Sequence, residues 1–513
     1  MRIKLHRRAV VLALGALLVT QLGLGYAQAQ KTIRVALTGP IVTLDPANYR
    51  NRNTENVIRN MFDGLYTVLP DGRTVPEIAE GVTQVDQFTW DFKIREGITF
   101  HNGEALTADD VAFTFNRVVK EGAMEGQTSP RKGLMASLQE VTVVDDYTAR
   151  FHFAAPETEL SVKSAAVFMQ IMPKDYFEEV GVDGFIAHPV GAGPFKFVEA
   201  SYAERVVLER YDGYWGGAPD MPGEPGPAKL DRVVFEIVPD PASRLAALRA
   251  GDIDIMQGVL ADQVSVIENT PGVEVKTGPG TNLYFFGFNT ELAPFDDPRV
   301  RRALAYAIDY DLLVEAVYGG RADALYGIPL SWNSEIQHDG LEPFTYDPER
   351  AKALLAEAGV TNLSFTIDTL GDNLLLAEAI SQMLGEIGVD AQVRTWEAGA
   401  LQEAVGQGSR QATVHLWGNA SGDPQWPLWP VEPGYSYWRH DEFLQIMNTA
   451  SDIADNDQRI AAFRRAYELV VEEVPYVTLV VPQTVEAARG NVLNFQPHPG
   501  GRVNMHRVDL ATP

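Results

Sequence analysis

The amino-acid sequence predicts an α/β protein, and three observations lead to that class. Strand-like and helix-like segments alternate along much of the chain. In the clearest stretch, 362–417, the order is strand, helix, strand, short helix, strand, which predicts parallel strands covered by a helix. Hydrophobic residues make up 45% and charged residues 22% of the 513 residues, so the chain can bury a large core.

The first half of the chain contains predicted elements of both kinds. Thr107 and Asp110 have the spacing of a capping box, which predicts a helix beginning at residue 108. Gly251 is expected to end another helix, because glycine readily adopts the left-handed conformation found after helix ends. The predicted strands are 32–37, 89–94 and 233–238, and the predicted helices are 53–62, 108–119 and 241–250.

The second half contains the strand–helix–strand unit. Pro298 suits the first turn of a helix, and a further helix is expected over 348–358. Ligands in open α/β sheets bind at the carboxyl ends of the strands. The loop 417–424 follows such an end and carries an indole, an amide, a hydroxyl and a carboxylate, so it is a candidate ligand site. The unit comprises strands at 363–369, 389–395 and 412–417, with a helix at 374–387 before Gly388.

Charge and composition exclude several function classes. The formal net charge of −27 repels phosphate backbones and anionic lipid headgroups, so neither nucleic acid nor a membrane surface is an expected partner. Cysteine is absent, which excludes disulfides, thiol nucleophiles, cysteine-bound zinc and a lipid-modified N-terminal cysteine. Solubility is the simplest role for the acidic charge.

The N-terminus has the pattern of a signal peptide over residues 1–29. Four basic residues precede an apolar stretch at 9–26, and Ala27-Gln28-Ala29 has the small-x-small form of a cleavage site. A membrane anchor is the rival interpretation, but Gln21 and several glycines weaken the stretch as a span. We therefore expect a periplasmic protein that is neither embedded in a membrane nor lipid-anchored.

Catalytic signatures are missing from the sequence. It contains no HExxH, no Walker-type loop and no GxSxG motif, and the nine histidines are scattered. The Gly-x-Gly pairs at 191–193 and 278–280 lack the context of a dinucleotide site and are expected to form turns. We expect no catalytic residue, no metal and no cofactor. A periplasmic peptide hydrolase, the alternative of another class, would need an activated nucleophile or a metal.

Several motifs in a fixed order resemble those of the family 5 extracellular solute-binding proteins of ABC importers, which include dipeptide-, oligopeptide-, nickel- and glutathione-binding proteins. They include NMFDGL at 60–65, FKIREGITFHNG at 92–103, GAGPF at 191–195, GDID at 251–254 and PRVRRA at 298–303. They extend over nearly the whole chain after residue 29, and we regard the resemblance as highly specific.

This resemblance implies a two-lobed periplasmic-binding-protein fold with a hinge between the lobes. Lobe I is expected at 30–281, with an extra subdomain at about 67–200 and a return of the chain at 489–513. Lobe II is expected at 282–488. Crossing segments near Tyr284 and Arg489 would form the hinge, and closure would bury the ligand.

The loop after the third strand is similar to the ligand loop of the glutathione-binding type. Ala420 stands where dipeptide-binding relatives have an aspartate for the ligand's amino terminus, and 371–373 lack their carboxylate-binding arginine. A dipeptide held in the usual way is therefore not favoured, because an unpaired buried charge is costly. The expected ligand-binding residues are Trp417, Asn419, Ser421, Gly422, Asp423, Trp426, Tyr284 and Asn289.

The resemblance implies a monomeric binding protein that delivers a peptide or peptide-like small molecule to an ABC permease and its ATPase subunits. An oligosaccharide-binding member of the same family is the alternative, because Trp426, Trp429, Tyr435, Tyr437 and Trp438 make an aromatic-rich neighbourhood. Packing within lobe II is the other interpretation of these aromatic residues. Arg301 is open to two interpretations: contact with a ligand carboxylate, or a salt bridge on a helix surface.

Overall fold

The structure is a computed structural model that describes residues 30–511 except 330–335, 337–339, 419–423, 432–435, 451–452 and 454. The predicted signal peptide lies outside the described residues. No helix within the described ranges is both long and apolar enough to cross a membrane.

The described chain up to residue 281 contains both strands and helices. Its capping box at Thr107 and Asp110 is present, and the helix it starts has the predicted bounds. The strands are β1 (Thr32–Leu37), β2 (Tyr66–Val68), β3 (Thr74–Pro76), β4 (Ala79–Asp86), β5 (Thr89–Ile94), β6 (Leu138–Asp145), β7 (Thr148–Phe153), β8 (Phe195–Ser201), β9 (Arg205–Arg210), β10 (Arg232–Ile237), β11 (Ile255–Met256) and β12 (Val273–Gly278). The helices are α1 (Arg52–Met61), α2 (Ala108–Val119), α3 (Glu159–Phe168), α4 (Lys174–Ala187), α5 (Pro241–Ala250) and α6 (Ala261–Glu268).

The rest of the chain forms a second lobe and then returns to the first. The strands are β13 (Asn282–Phe288), β14 (Ala322–Ala324), β15 (Ser364–Leu370), β16 (Asp390–Trp396), β17 (Ala412–Gly418), β18 (Tyr476–Pro482), β19 (Thr484–Arg489), β20 (Val492–Leu493) and β21 (Asp509–Leu510). The helices are α7 (Pro298–Tyr306), α8 (Tyr310–Tyr318), α9 (Pro348–Glu357), α10 (Leu374–Glu386), α11 (Ala398–Gly406), α12 (Asp441–Thr449) and α13 (Asn456–Glu473).

Three larger sheets organise these elements. A seven-stranded sheet has the order β12-β19-β11-β1-β10-β9-β8, a six-stranded sheet has the order β14-β18-β13-β17-β15-β16, and a four-stranded sheet has the order β4-β5-β7-β6. In the six-stranded sheet, β15 pairs in parallel with β16 and β17, which confirms the predicted strand–helix–strand unit. The six-stranded sheet and the four-stranded sheet each pack on a hydrophobic core of their own.

The two large sheets are joined by two crossings that run side by side. Strands β12 and β19 pair in the first sheet, with Gly278 opposite Thr484, and strands β13 and β18 pair in the second. The chain crosses at 279–281 and at Gln483, where the Thr484 hydroxyl donates to the Pro279 carbonyl at 3.1 Å. We call this paired segment, β12/β19 continuing into β13/β18, the hinge ribbon.

The second crossing lies ahead of the predicted return of the chain at residue 489. Strand β19, which begins at Thr484, already pairs with β11 and β12 of the seven-stranded sheet. Residues 476–489 are an almost continuous apolar strand pattern, and the pattern alone does not show where one sheet ends.

The hinge ribbon requires glycine at its first crossing because the two strands approach closely. A Cβ atom at Gly280 would lie 1.9 Å from the Pro482 carbonyl oxygen, and one at Gly278 would lie 2.5 Å from the Pro497 carbonyl oxygen. Both contacts are with backbone atoms, which cannot rotate away as a flexible side chain can. Gly280 thus allows the two crossings to stay in contact, and Gly278 allows the end of β12 to approach the segment that contains Pro497.

We expect Gly280→Ala to destabilise the protein and to change the angle between the lobes, because the ribbon must open to admit a methyl group. Thermal unfolding and small-angle X-ray scattering measure the two effects. Gly385→Ala is the matched control, since a Cβ there meets nothing within 4 Å and the residue is helical. That control should raise stability by up to about 1 kcal/mol, and equal behaviour of both variants would contradict the close-approach argument.

Candidate functional site

A cleft between the two large sheets contains two adjoining cavities, one of about 790 Å³ and one of about 940 Å³. Arg52, Thr281 and Asn282 line both of them, at the first crossing of the hinge ribbon. We call the smaller one, which contains Trp417, the tryptophan compartment. The larger one, which contains Tyr284 and Glu486, is the hinge compartment.

Three indoles form the lobe II wall of the tryptophan compartment. Trp417 stands near the end of β17, opposite Leu283 of β13. Trp426 and Trp429 belong to the 3₁₀ helix Trp426–Val431, and their rings stack at 4.9 Å with planes 17° apart. The Trp417 ring lies 6.0 Å from Trp426 and 6.1 Å from Trp429. All three rings are half-buried, so they offer a broad apolar surface to a ligand.

The opposite wall comes from lobe I and is polar. Glu157 accepts hydrogen bonds from the backbone N–H and the hydroxyl of Ser137, at 3.0 and 2.6 Å, and from the Ser161 hydroxyl at 2.6 Å. Ser161 stands in the first turn of α3. Both serines and Glu157 line the compartment, so this side offers hydroxyl groups and a carboxylate held in place.

Glu55 lies deeper in the same wall, on α1. Its carboxylate accepts from Arg52, from Arg59 at 2.6 Å and from Arg502 at 3.1 Å. Burial alone would raise the pKa of Glu55, but Arg52, Arg502 and Arg59 together hold it well below its ordinary value. Glu55 therefore stays ionised and joins α1 to the C-terminal segment.

The hinge compartment contains a buried carboxyl group on β19. Glu486 is 1% exposed, and its Oε1 accepts from the Gln257 amide at 3.0 Å. Among the described residues, no donor bonds its other oxygen. Burial raises the pKa of Glu486 to about 7, and the hydrogen bond from Gln257 opposes that shift. The group is therefore near its titration point at neutral pH.

The structure brings three of the predicted ligand-binding residues to the cleft. Trp417 and Trp426 line the tryptophan compartment, and Tyr284 lines the hinge compartment with its ring 6.3 Å from that of Tyr318. Burial, with a smaller effect of Asp372, raises the pKa of Tyr284. The predictions for Asn419, Ser421, Gly422 and Asp423 lie outside the described residues.

Asn289 lines neither of the two compartments. It follows the far end of β13, where its amide donates to the Gly408 carbonyl at 3.0 Å and accepts from the Glu291 N–H at 3.1 Å. Its hydrogen bonds hold a buried loop of lobe II, and its role in ligand binding stays a prediction.

The structure agrees in part with the salt-bridge interpretation of Arg301, since its guanidinium lies 3.8 Å from the Glu473 carboxylate, but the arginine is buried and does not lie on the helix surface. It is 2% exposed and donates to the backbone carbonyls of Glu473, Val474 and Phe295. It therefore satisfies carbonyls at the C-terminal end of α13.

Trp438 packs in the lobe II core beside Phe443, which agrees with the interpretation of this aromatic residue as part of the lobe II packing.

Sequence reasoning missed the lobe I side of the site. Arg52, Glu55 and Arg131 line the tryptophan compartment, and Glu486 lines the hinge compartment. These residues lie far apart along the chain, and none belongs to a strand-end loop of the strand–helix–strand unit. The start of α1 beside Asn51 was the one available signal, since helix N-termini attract anionic groups. In the described part of the chain, no cluster of three or more histidine and acidic residues could hold a metal ion.

Two lobes around a polar and aromatic cleft, joined by two adjacent strand crossings, define a solute-binding protein of the hinged type. Residues 73–437 match the bacterial extracellular solute-binding proteins, family 5 Middle. The chain belongs to this family, whose members bind solutes for ABC importers.

Individual relatives agree with this assignment. The chain is 27% identical to the dipeptide-binding protein of Escherichia coli strain K12, over 87% of each chain. It is 26% identical to the glutathione-binding protein GsiB of Shigella dysenteriae, over 98% of this chain and 99% of the relative. The structure of HbpA2 from Haemophilus parasuis matches with a TM-score of 0.83 and 25% identity, over 94% of this chain and 100% of the other.

We expect Trp417→Ala to weaken ligand affinity by about 1–3 kcal/mol while leaving most of the stability, because the indole is half-buried at the cavity wall. Isothermal titration calorimetry with the best ligand of the screen described below measures the change. Trp396→Ala is the control. Trp396 ends β16 in the same sheet and donates to Asp368 at 2.6 Å, away from both compartments. An unchanged affinity for Trp417→Ala would remove Trp417 from the site.

We also expect Glu486 to make the unfolding free energy of the protein depend on pH. The carboxyl has an ordinary pKa of 4.5 and a folded pKa of about 7, so between these values the folded chain holds a proton that the unfolded chain has lost. Stability from this group is therefore present below pH 4.5 and is lost as pH rises toward 7. Relative to the wild type, Glu486→Gln should gain up to about 3 kcal/mol of unfolding free energy across that window.

Urea unfolding at pH 4.5, 6 and 7.5 checks this expectation. Glu268→Gln supplies the control, since the Glu268 side chain is 51% exposed and pairs with Arg321 on the surface. A pH-independent difference between Glu486→Gln and the wild type would show that folding does not raise the pKa of Glu486.

Proposed function

We propose that this protein encloses a peptide-like small molecule in the cleft between its lobes and delivers it, unaltered, to an ABC permease and its ATPase subunits. It acts as a monomer in the periplasm. The observation that carries the proposal is the tryptophan compartment, where three indoles of lobe II face hydroxyl and charged groups of lobe I. Such a pair of walls suits a ligand with both apolar side chains and a polar backbone.

The names of two relatives support the ligand class, since one binds dipeptides and the other binds glutathione. The two compartments, about 790 and 940 Å³, have more room than a dipeptide needs. Asp372 lines the hinge compartment in the segment where the dipeptide-binding type carries its arginine. A tripeptide or a larger peptide-like ligand therefore fits this cleft better than a dipeptide.

We propose that lobe I comprises residues 30–281 and 484–511, and that lobe II comprises 282–482. The extra subdomain is centred on the sheet β4-β5-β7-β6 and ends before β8, which belongs to the seven-stranded sheet. This assignment supports a motion in which two preformed cores approach each other by bending of the hinge ribbon.

An oligosaccharide is the second candidate ligand. Indole faces stack on the apolar faces of sugar rings, and the tryptophan compartment has three of them. The arginines and glutamates of the opposite wall favour the peptide-like ligand, because neutral sugars offer them no charge.

A thermal-shift screen with tripeptides, glutathione, opines, oligosaccharides and nickel chelates tests the proposal. A ligand at about 100 times its dissociation constant should add about 2.7 kcal/mol of apparent stability. We expect peptides or glutathione to raise the unfolding temperature, and Trp417→Ala to reduce that rise.

Recovery of the bound compound, followed by mass spectrometry, is the companion measurement. An unchanged mass supports a binding protein, whereas a cleaved or modified compound would contradict the proposal. A shift with oligosaccharides alone would replace the ligand class and leave the family assignment intact.

A further inference from the structure

The hinge compartment has an acidic lining. Its charged side chains are three acidic and two basic ones, namely Asp262, Asp372, Glu486, Arg52 and Arg321. Arg52 is already paired with Glu55 of α1. Arg321 is paired with Glu268 at 2.6 Å, and neither of these two glutamates lines the compartment. The positive charge of the lining is therefore already engaged, while the three acidic groups face the cavity.

Glu486 has one oxygen to which the protein gives no donor. Gln257 fixes the carboxyl group by donating to its Oε1 at 3.0 Å. The Gln257 amide is itself held, since it donates to the Gly501 carbonyl and accepts from the Asn56 amide, both at 3.0 Å. The other oxygen of Glu486, Oε2, is buried without a hydrogen-bond partner among the described residues. Such an oxygen is costly, so a donor in the compartment would stabilise it.

The nearest basic side chain on the neighbouring strand does not supply that donor. Lys276 of β12 stands opposite Glu486 in the strand pair, but its ammonium group is paired with Glu274 at 2.5 Å. Burial raises the pKa of Glu486 to about 7, so in the empty cleft the carboxyl exchanges between its protonated and ionised forms at neutral pH. A cationic donor in the compartment would take the place of the proton and keep the carboxylate ionised.

Lobe II presents a second carboxylate to the same compartment. Asp372 belongs to the 3₁₀ turn Gly371–Asn373, which follows β15, and its side chain is exposed. Burial raises the pKa of Tyr284, and the negative charge of Asp372 adds to that rise, so the two side chains are close enough to interact. Closure of the cleft brings this carboxylate toward Glu486 of lobe I. Two like charges oppose such an approach unless a cation lies between them.

The remaining lining fits an organic cation with an apolar stem. Tyr284 and Tyr318 line the compartment with rings 6.3 Å apart, and the exposed Leu260 and Leu375 line it from the two lobes. Aromatic faces attract cations, and the methylene groups of a long basic side chain pack on apolar surface. A metal ion fits less well, because no group of three or more histidine and acidic side chains in the described ranges could hold one. The net charge of −27 adds a long-range attraction for cations.

We propose that the hinge compartment binds a basic side chain of the ligand, with its cationic head between Glu486 of lobe I and Asp372 of lobe II. This inference rests on the proposed function and narrows the ligand class to peptides or peptide-like molecules with a lysine-like or arginine-like group. Because the two carboxylates belong to different lobes, the cation joins the lobes and stabilises the closed cleft.

Two tripeptide libraries that differ in one residue test the proposal. Each peptide contains one arginine in the first library, and in the second it contains citrulline, which has nearly the same shape without the charge. The terminal amino and carboxyl groups are free in both libraries, so the comparison concerns the side chain alone. Native mass spectrometry of the purified protein compares binding at equal concentrations. We expect a preference of about tenfold or more for the arginine library.

The two ways in which this experiment can fail are distinct. Equal binding of the two libraries, or a preference for citrulline, would overturn the proposal while leaving a peptide-binding protein. Binding of neither library would contradict the proposed function itself.

Variants assign the preference to the two carboxylates. Glu486→Gln keeps the size and hydrogen-bonding capacity of the side chain but removes its charge, and Asp372→Asn does the same in lobe II. Each should reduce the preference for arginine by about tenfold. Glu199→Gln is the matched control, because Glu199 is exposed on β8 and lines neither compartment. An undiminished preference in either folded variant would contradict the proposal.

Discussion

The hinge ribbon is the constraint on which the rest of the structure depends. Two crossings that run side by side and remain paired in both sheets allow the lobes to bend toward each other but oppose sliding. Gly280 keeps the crossings in contact, because a side chain there would meet the Pro482 carbonyl. The walls of the cleft therefore face each other in a fixed register, with Trp417 beside the first crossing.

The lobe I wall is positioned by the segment that follows β19. Asn56 and Asn60 of α1 accept from the backbone N–H groups of Val503 and Met505, at 3.1 and 2.9 Å, and Arg502 binds Glu55. All these groups are buried, so each hydrogen bond is protected from water and its loss would be costly. The helix that presents Arg52 to the cleft is thus held by a segment that lies about 450 residues away in the sequence.

The sequence predicted what local patterns encode and missed what depends on packing. The strand–helix–strand unit was predicted within a few residues because its helix and strands have clear apolar periods, and Trp417 follows from its place at a strand end. Asn289 lies away from both compartments, because a motif does not specify which end of a strand meets the cleft. Arg131 could not be found, since it reaches the site through a connection without a regular period.

The place of β19 has a consequence for how the chain folds. This strand sits between β11 and β12 in the seven-stranded sheet, yet it follows the whole of lobe II in the chain. Ile255 of β11 pairs with Ala488 of β19, which comes much later in the chain, so the seven-stranded sheet cannot be completed from neighbouring segments alone. Contacts this distant slow folding. Until residues 484–489 have been synthesised, the edges of β11 and β12 that receive β19 stay unpaired, so the first lobe remains incomplete until nearly the whole chain has been made.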